Sequence, residues 1–142
     1  MPLVGGVVVT HGNLATELVN AAETIINEDI HHITAISIGW HDDVETARDE
    51  IARAIKNMSF GSGVLLLTDM FGGTPTNISA MFLKEGEVEI VTGVNLPMVI
   101  KLATETRPIG LRQMAAEVED EGKSAICRAG ELLMPPKLKK DA

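Results

Sequence analysis

Two short stretches, far apart in the chain, carry the residues that could do chemistry. One is Thr10-His11-Gly12-Asn13; the other is Asp69-Met70-Phe71-Gly72-Gly73-Thr74-Pro75-Thr76-Asn77. The first offers an imidazole, the second a carboxylate followed by a glycine turn. A carboxylate bonded to one ring nitrogen fixes the tautomer, leaves a lone pair on the other nitrogen and stabilises the imidazolium. Such a ring is a base, a metal ligand or a nucleophile, and its neighbours choose among these roles. Gly72-Gly73 lets backbone approach a ligand closely, and the helix that follows aims unpaired amides at it. A second helix start after Gly12 adds another positive dipole end. An imidazole beside two amide-rich helix starts points to a phosphoryl group carried on the ring, with the hydroxyls of Thr10, Thr74 and Thr76 as further donors.

Taken singly, each feature has a plainer reading. A His after a strand is usually a loop residue, an Asp at a strand end is a common turn former, and Gly-Gly-Thr-Pro is a helix start. Their placement together gives the chemistry its weight, so the elements that position them matter. Val4 to Thr10 and Val64 to Thr68 are continuously apolar, as strands buried on both faces are. Ile33 to Ile38 and Val88 to Thr92 read as two more strands. Helical spacing places Leu14, Leu18, Ala22, Ile25 and Ile26 on one face after Asn13 as cap, with Asn27-Glu28-Asp29 as the end. It places Val44, Ala47, Ile51, Ala54, Ile55 and Met58 on another after Asp42 or Asp43, with Gly61-Ser62-Gly63 as the break.

Thr74 is the expected N-cap of a short helix with Pro75 at its first position and Ile78, Met81 and Phe82 inward, ended by Gly86. Gly93-Val94-Asn95-Leu96-Pro97 repeats that start, and Met98 to Ala103 is apolar nearly all round, as in a buried helix or a subunit interface. Leu111, Met114, Ala115 and Val118 mark one more helix, stopped at Gly122. Alternating strands and helices imply right-handed crossovers and one three-layer α/β/α domain over residues 1–133 with a mostly parallel sheet. Residues 134–142 read as a tail or linker stub. For His11 and Asp69 to meet, the first and third strands must be neighbours, which makes the gap between them the switch point where ligands bind.

Composition narrows the function classes. The 142 residues are 45% hydrophobic, 23% charged and 3% aromatic with no Tyr, enough for one core burying roughly two-thirds of the unfolded surface. A net charge of −8 repels phosphate backbones, and few aromatics leave no base-stacking platform, so nucleic acid is not an expected partner. No stretch approaches the ~20 apolar residues of a membrane helix, the start lacks the pattern of a signal peptide, and the single Cys127 suits a reducing compartment. A cytoplasmic protein is the expectation. No Walker lysine follows the glycines, no dinucleotide fingerprint or nucleophile elbow is present, and Cys/His spacing offers no zinc site; neither metal nor cofactor is expected. His31 and His32 precede a strand at the opposite edge and read as solvated loop residues. His41 is at the right edge but flanked by Asp42 and Asp43, and Trp40 is expected to pack on a helix.

Three segments, Val8-Val9-Thr10-His11-Gly12, Thr68 through Asn77, and Val91-Thr92-Gly93-Val94-Asn95-Leu96-Pro97-Met98, resemble in order and spacing the IIA component of the mannose family of the bacterial sugar phosphotransferase system. The similarity spans roughly residues 3 to 133. It implies that His11 accepts a phosphoryl group from the phosphocarrier HPr and passes it to a histidine of a IIB component. It further implies phosphate on the Nε2 side with Asp69 holding Nδ1, a cradle of the Gly73 and Thr74 amides and the Thr74 hydroxyl, and a rim shaped by residues 93–97; the reading of the residues themselves adds Gly72 and Thr10 to the phosphate-binding set. A homodimer exchanging a C-terminal antiparallel strand is also implied, with Ser124 to Cys127 as the candidate. Some relatives continue into a IIB domain, so a separate acceptor chain is expected here. The other reading is a regulatory IIA-like protein whose phosphorylation state signals without sugar uptake; neighbouring genes for IIB, IIC and IID would separate the two. A His-Asp hydrolase acting on a small ester is a third reading, distinguished by turnover without HPr.

Overall fold

A computed structural model describes residues 2–39 and 41–134. Among them, four strands alternate with helices: β1 (Leu3–His11), α1 (Leu14–Ile26), β2 (Ile33–Ile38), α2 (Val44–Asn57), β3 (Gly61–Thr68), α3 (Thr74–Ser79), β4 (Val88–Thr92), α4 (Leu96–Thr104), α5 (Leu111–Ser124) and α6 (Ala129–Leu133). The strands form one parallel sheet in the order β2-β1-β3-β4. The chain leaves β1 toward one edge and later returns to β1's other side with β3, so the switch point lies between the carboxyl ends of β1 and β3.

Alternation along the strands builds two cores, one on each face. Val7, Val9, Val64 and Leu66 pack with Ala47, Ile51 and Ile78 from α2 and α3. Val4, Val8, Leu65 and Leu67 pack with side chains of α1, α4 and α5, among them Val19, Val99, Leu102 and Val118. Leu65, Leu66 and Leu67 are fully buried, each contributing on the order of 2 kcal/mol. The double cover explains why β1 and β3 are apolar without interruption. A β-carbon added at Gly5 would lie 1.8 Å from the Met58 carbonyl oxygen, so glycine lets the end of α2 close directly onto β1.

Several local expectations shift. On α1 the inward face is Ala15, Val19 and Ala22, with Leu18 and Ile26 half-buried, while Leu14 and Ile25 are exposed; small residues, not the largest, lie against the sheet. Asn13 occupies the cap position without a side-chain bond, and Asn27 ends the helix in the left-handed conformation. Asp43 precedes α2 but its carboxylate accepts from the Thr46 hydroxyl, and Asp42 accepts from Gly39 N, so neither caps a backbone amide of α2. Val44 and Met81 point outward. Gly61-Ser62-Gly63 lies inside β3, where pairing with β1 slips by one residue between Leu3 and Gly5. Gly122 does not stop α5: a β-carbon there would lie 2.5 Å from Met98 Sδ, so it is a packing contact within the helix.

The expected strand at Ser124 to Cys127 is not formed. Ser124 is the last residue of α5, Ala125 N bonds Glu121 O, and Ile126 N bonds Lys123 O, so local helical bonds take the backbone groups a strand would need. His32 is half-buried rather than solvated, its Nε2 lying 3.3 Å from Leu102 O. The packing expected of Trp40 and the tail from residue 135 lie outside the described residues.

Candidate functional site

His11 is the last residue of β1, and Asp69 follows directly on β3. The two strands are hydrogen-bonded neighbours with Val9 opposite Thr68, so residues 58 apart in sequence meet at the switch point. His11 shares the side of β1 on which Val7 and Val9 face α2 and α3. Asp69 Oδ2 accepts two bonds from it, one from the backbone amide at 2.9 Å and one from ring Nδ1 at 2.6 Å. The other oxygen, Oδ1, accepts from Met70 N at 3.0 Å.

A carboxylate oxygen can only accept, so Nδ1 carries the proton and the lone pair stands on Nε2. Burial by itself would raise the Asp69 carboxyl, but the bonds from the His11 amide and ring and the attraction of that ring outweigh it and hold the group below its ordinary range. The acid is therefore ionised at neutral pH. The carboxylate side chain is 13% exposed and the imidazole 51%. The carboxylate is sheltered while the ring is open on one side.

On the far side of the ring stands the glycine turn. Gly72 has φ of 86°, a conformation costly to any residue with a β-carbon. A β-carbon on Gly73 would lie 2.9 Å from His11 Cε1 and 3.5 Å from Nε2. The loop thus wraps the imidazole, with the carboxylate at one nitrogen and bare backbone beside the other. Gly73, not Thr74, is the N-cap, extended with no side-chain cap; Asn77 N to Gly73 O closes the first helical turn, and Thr74 is the exposed first helical residue. The amides of that first turn have no partner within the helix.

Two expected hydroxyl donors are used elsewhere. Thr10 is fully buried on the α1 side, and its Oγ1 accepts from Ala15 N at 2.7 Å; it caps α1 in place of Asn13. Strand alternation carries this information, since residue 10 shares the face of Val8 and residue 11 that of Val9. Thr76 Oγ1 lies 2.6 Å from Met70 O and 2.6 Å from Thr68 Oγ1, both threonines being buried. Thr68 did not stand out in the sequence; only its place on the α3 side of β3 identifies it. The 93–97 loop reaches the same edge through Val94 N to Thr68 O at 2.9 Å. His41 is exposed. Among the described residues no cluster of metal-ligating side chains occurs, and no helix is long and apolar enough to cross a membrane.

Comparison with known proteins identifies the family. Residues 5–119 match the family model described as EIIA-man, PTS system fructose IIA component. The chain is 27% identical over 105 residues to the PTS system fructose-specific EIIA component of Bacillus subtilis, covering 73% of this chain and 71% of that one. It is 30% identical over 130 residues to the mannose-specific EIIAB component of Escherichia coli, covering 84% of this chain but 38% of that longer protein. Among solved structures, the mannose/sorbose specific IIA subunit from Enterococcus faecalis superimposes with a TM-score of 0.78 at 25% identity, covering 89% of this chain and 94% of that one. An EIIA component from Streptococcus agalactiae shares the fold, with a TM-score of 0.80 at 20% identity. With a family model spanning most of the sequence and the same fold in a solved IIA subunit, the chain belongs to the mannose-family IIA components of the sugar phosphotransferase system.

Proposed function

We propose that this protein is a phosphocarrier whose His11 Nε2 accepts a phosphoryl group from phospho-HPr and passes it to a histidine of a IIB component. The observation that supports the reading most is the 2.6 Å bond from His11 Nδ1 to Asp69 Oδ2, which directs the ring's lone pair toward the open glycine turn. In the forward step Nε2 attacks in line; the new P–N bond forms as the donor's P–N bond breaks, and that bonding pair returns to the donor nitrogen. The Nδ1 proton stays in place. The ring gains positive charge as the bond forms, and the Asp69 carboxylate offsets it. Backbone amides of the Gly72-Gly73-Thr74 turn meet the phosphoryl oxygens. Transfer onward reverses the same geometry.

The protein works on the cytoplasmic side as a homodimer. Strand β4 is a sheet edge, flanked by a groove of about 290 Å³ between Ile90, Val91 and Thr92 on one side and Gly122 and Ile126 on the other. Ile126 is 80% exposed there, as a residue awaiting a partner surface would be; sedimentation at two chain masses per particle supports this, and a monomer at micromolar concentration overturns it.

The test of the carrier reading is labelling. With phosphoenolpyruvate, Enzyme I and HPr, the wild type takes up one acid-labile phosphoryl group per chain, and His11→Ala takes up none. Equal labelling of the variant overturns the assignment. A labelled protein that donates to no IIB component is a signal rather than a carrier.

A further inference from the structure

We infer that the buried hydroxyl chain Thr68–Thr76–Met70 is a positioning clamp that keeps the Asp69–Gly73 loop closed around the His11 ring, an inference that rests on His11 as the phosphoryl acceptor. Thr76 Oγ1 is 2.6 Å from the Met70 carbonyl and 2.6 Å from Thr68 Oγ1. A carbonyl only accepts and a hydroxyl has one proton, so Thr76 donates to Met70 O and Thr68 donates to Thr76. The second link of this chain ties a first-turn residue of α3 back to the residue after Asp69. It spans the turn from its end to its beginning.

The loop has little else to hold it. Met70 is 55% exposed and Phe71 82%, and Gly72 and Thr74 are exposed as well, so no side chain between Asp69 and Pro75 anchors it in the core. Both threonines are buried, Thr68 completely, where leaving a hydroxyl unpaired is costly. Valine would fill the same space but could not direct Met70. The spacing at stake is the slot in which the ring sits, with Asp69 at Nδ1 and Gly73 next to Cε1. Misplacement by a fraction of an ångström is felt in transfer rate.

The experiment compares wild type with Thr76→Val, Thr76→Ser and Thr68→Val. Three quantities are read: amide exchange by NMR, the His11 ring nitrogen shifts, and the initial rate of labelling from phospho-HPr. In Thr76→Val the bonded amides at the two ends of the loop, Met70 N on Asp69 Oδ1 and Asn77 N on Gly73 O, exchange at least ~10-fold faster while those of β1 and β3 do not change, and labelling slows about 10-fold. Thr76→Ser, which restores the hydroxyl, brings both within about twofold of wild type. Thr68→Val has the smaller effect, because the bond to Met70 survives.

Wild-type exchange and labelling in Thr76→Val overturn the clamp, as does a Thr76→Ser protein as impaired as Thr76→Val, which would assign the effect to the methyl. If Thr76→Val does not fold, Thr76→Ala compared with Thr76→Ser decides: faster loop exchange in the alanine variant than in the serine variant supports the clamp, and equal exchange in the two overturns it. Failure of wild type to label removes the phosphocarrier reading, whereas the exchange measurements still decide the clamp.

Discussion

Two loops at the same edge of the sheet start from similar sequences and end in opposite states. After β4, Thr92-Gly93-Val94-Asn95-Leu96-Pro97 leads into α4; after β3, Thr68 through Pro75 leads into α3. Both place a proline within the first helical positions. At α4 the N-cap is Asn95, whose Oδ1 accepts from Met98 N at 3.2 Å and whose Nδ2 donates to Gly122 O at 3.1 Å. Its polar groups are spent on the fold, and it joins two helices. At α3 the N-cap is Gly73, with no side chain to spend. The amides at that helix start stay open, and they stand beside the His11 ring. A helix start capped by a side chain is spent on the fold; an uncapped one beside the proposed nucleophile is the candidate site.

The largest effect that sharpens this contrast is expected at the carboxylate orienting the ring. Asp69→Asn should leave the secondary structure intact and slow phosphoryl uptake by roughly 10- to 100-fold or more, the lower range being that of a lost outer partner of a functional histidine; stopped-flow or quenched labelling reads it. The same pair gives a pH signature. Because the folded-state carboxyl lies below its ordinary value of 3.8, its contribution to stability is present above that value and is lost as pH falls through the lowered one. The stability gap between wild type and Asp69→Asn, from urea unfolding, should therefore close below about pH 4. A gap that widens on acidification contradicts this assignment of charge.

Gly73→Ala comes next. Its β-carbon would sit 2.9 Å from His11 Cε1, so either ring or loop must move, and uptake should fall about 10-fold, equivalent to roughly 1.4 kcal/mol in the barrier. The ring nitrogen shifts should move with it; an unaltered rate and spectrum would mean the turn is farther from the chemistry than its geometry indicates. The smallest functional effect belongs to the other loop. Asn95→Ala should cost about 1 kcal/mol of stability, the ordinary value of a lost N-cap, seen as a lower urea midpoint, while the labelling rate of the folded protein stays at the wild-type level. Loss of labelling there would erase the distinction between the two loops.

Much of this was legible in the residues. β2 and β4 were readable to the residue, because a strand bounded by loop-forming residues has few alternative registers. The meeting of His11 and Asp69 entered as a condition, since βα alternation leaves the strand order open; it is met because β1 and β3 are neighbours in the sheet. Thr10 shows what was misread. Its hydroxyl sits next to the histidine in sequence, but the pleat turns it to the opposite face, where it caps α1. The helix faces were offset for a related reason: Ala15 and Ala22 give no stronger pattern than Leu14 and Ile25, yet their small side chains allow the closer approach to the sheet. The fifth strand at residues 124–127 was a reading of the chain to which the resemblance added exchange in a dimer, and the local helical bonds of α5 prevail there.

The order of apolar runs, the turn residues and their chemistry were set by the chain's own sequence: a parallel α/β sheet with an imidazole and a carboxylate at strand ends. Local preference acts over a few residues, and those patterns are local. Which hydroxyls face the crevice, which helix start stays uncapped and how the 69–76 loop is tied across itself depended on the tertiary structure. Those outcomes rest on the side of the pleat a residue occupies and on contacts such as Thr68 with Thr76, which exist only once β3 and α3 have packed.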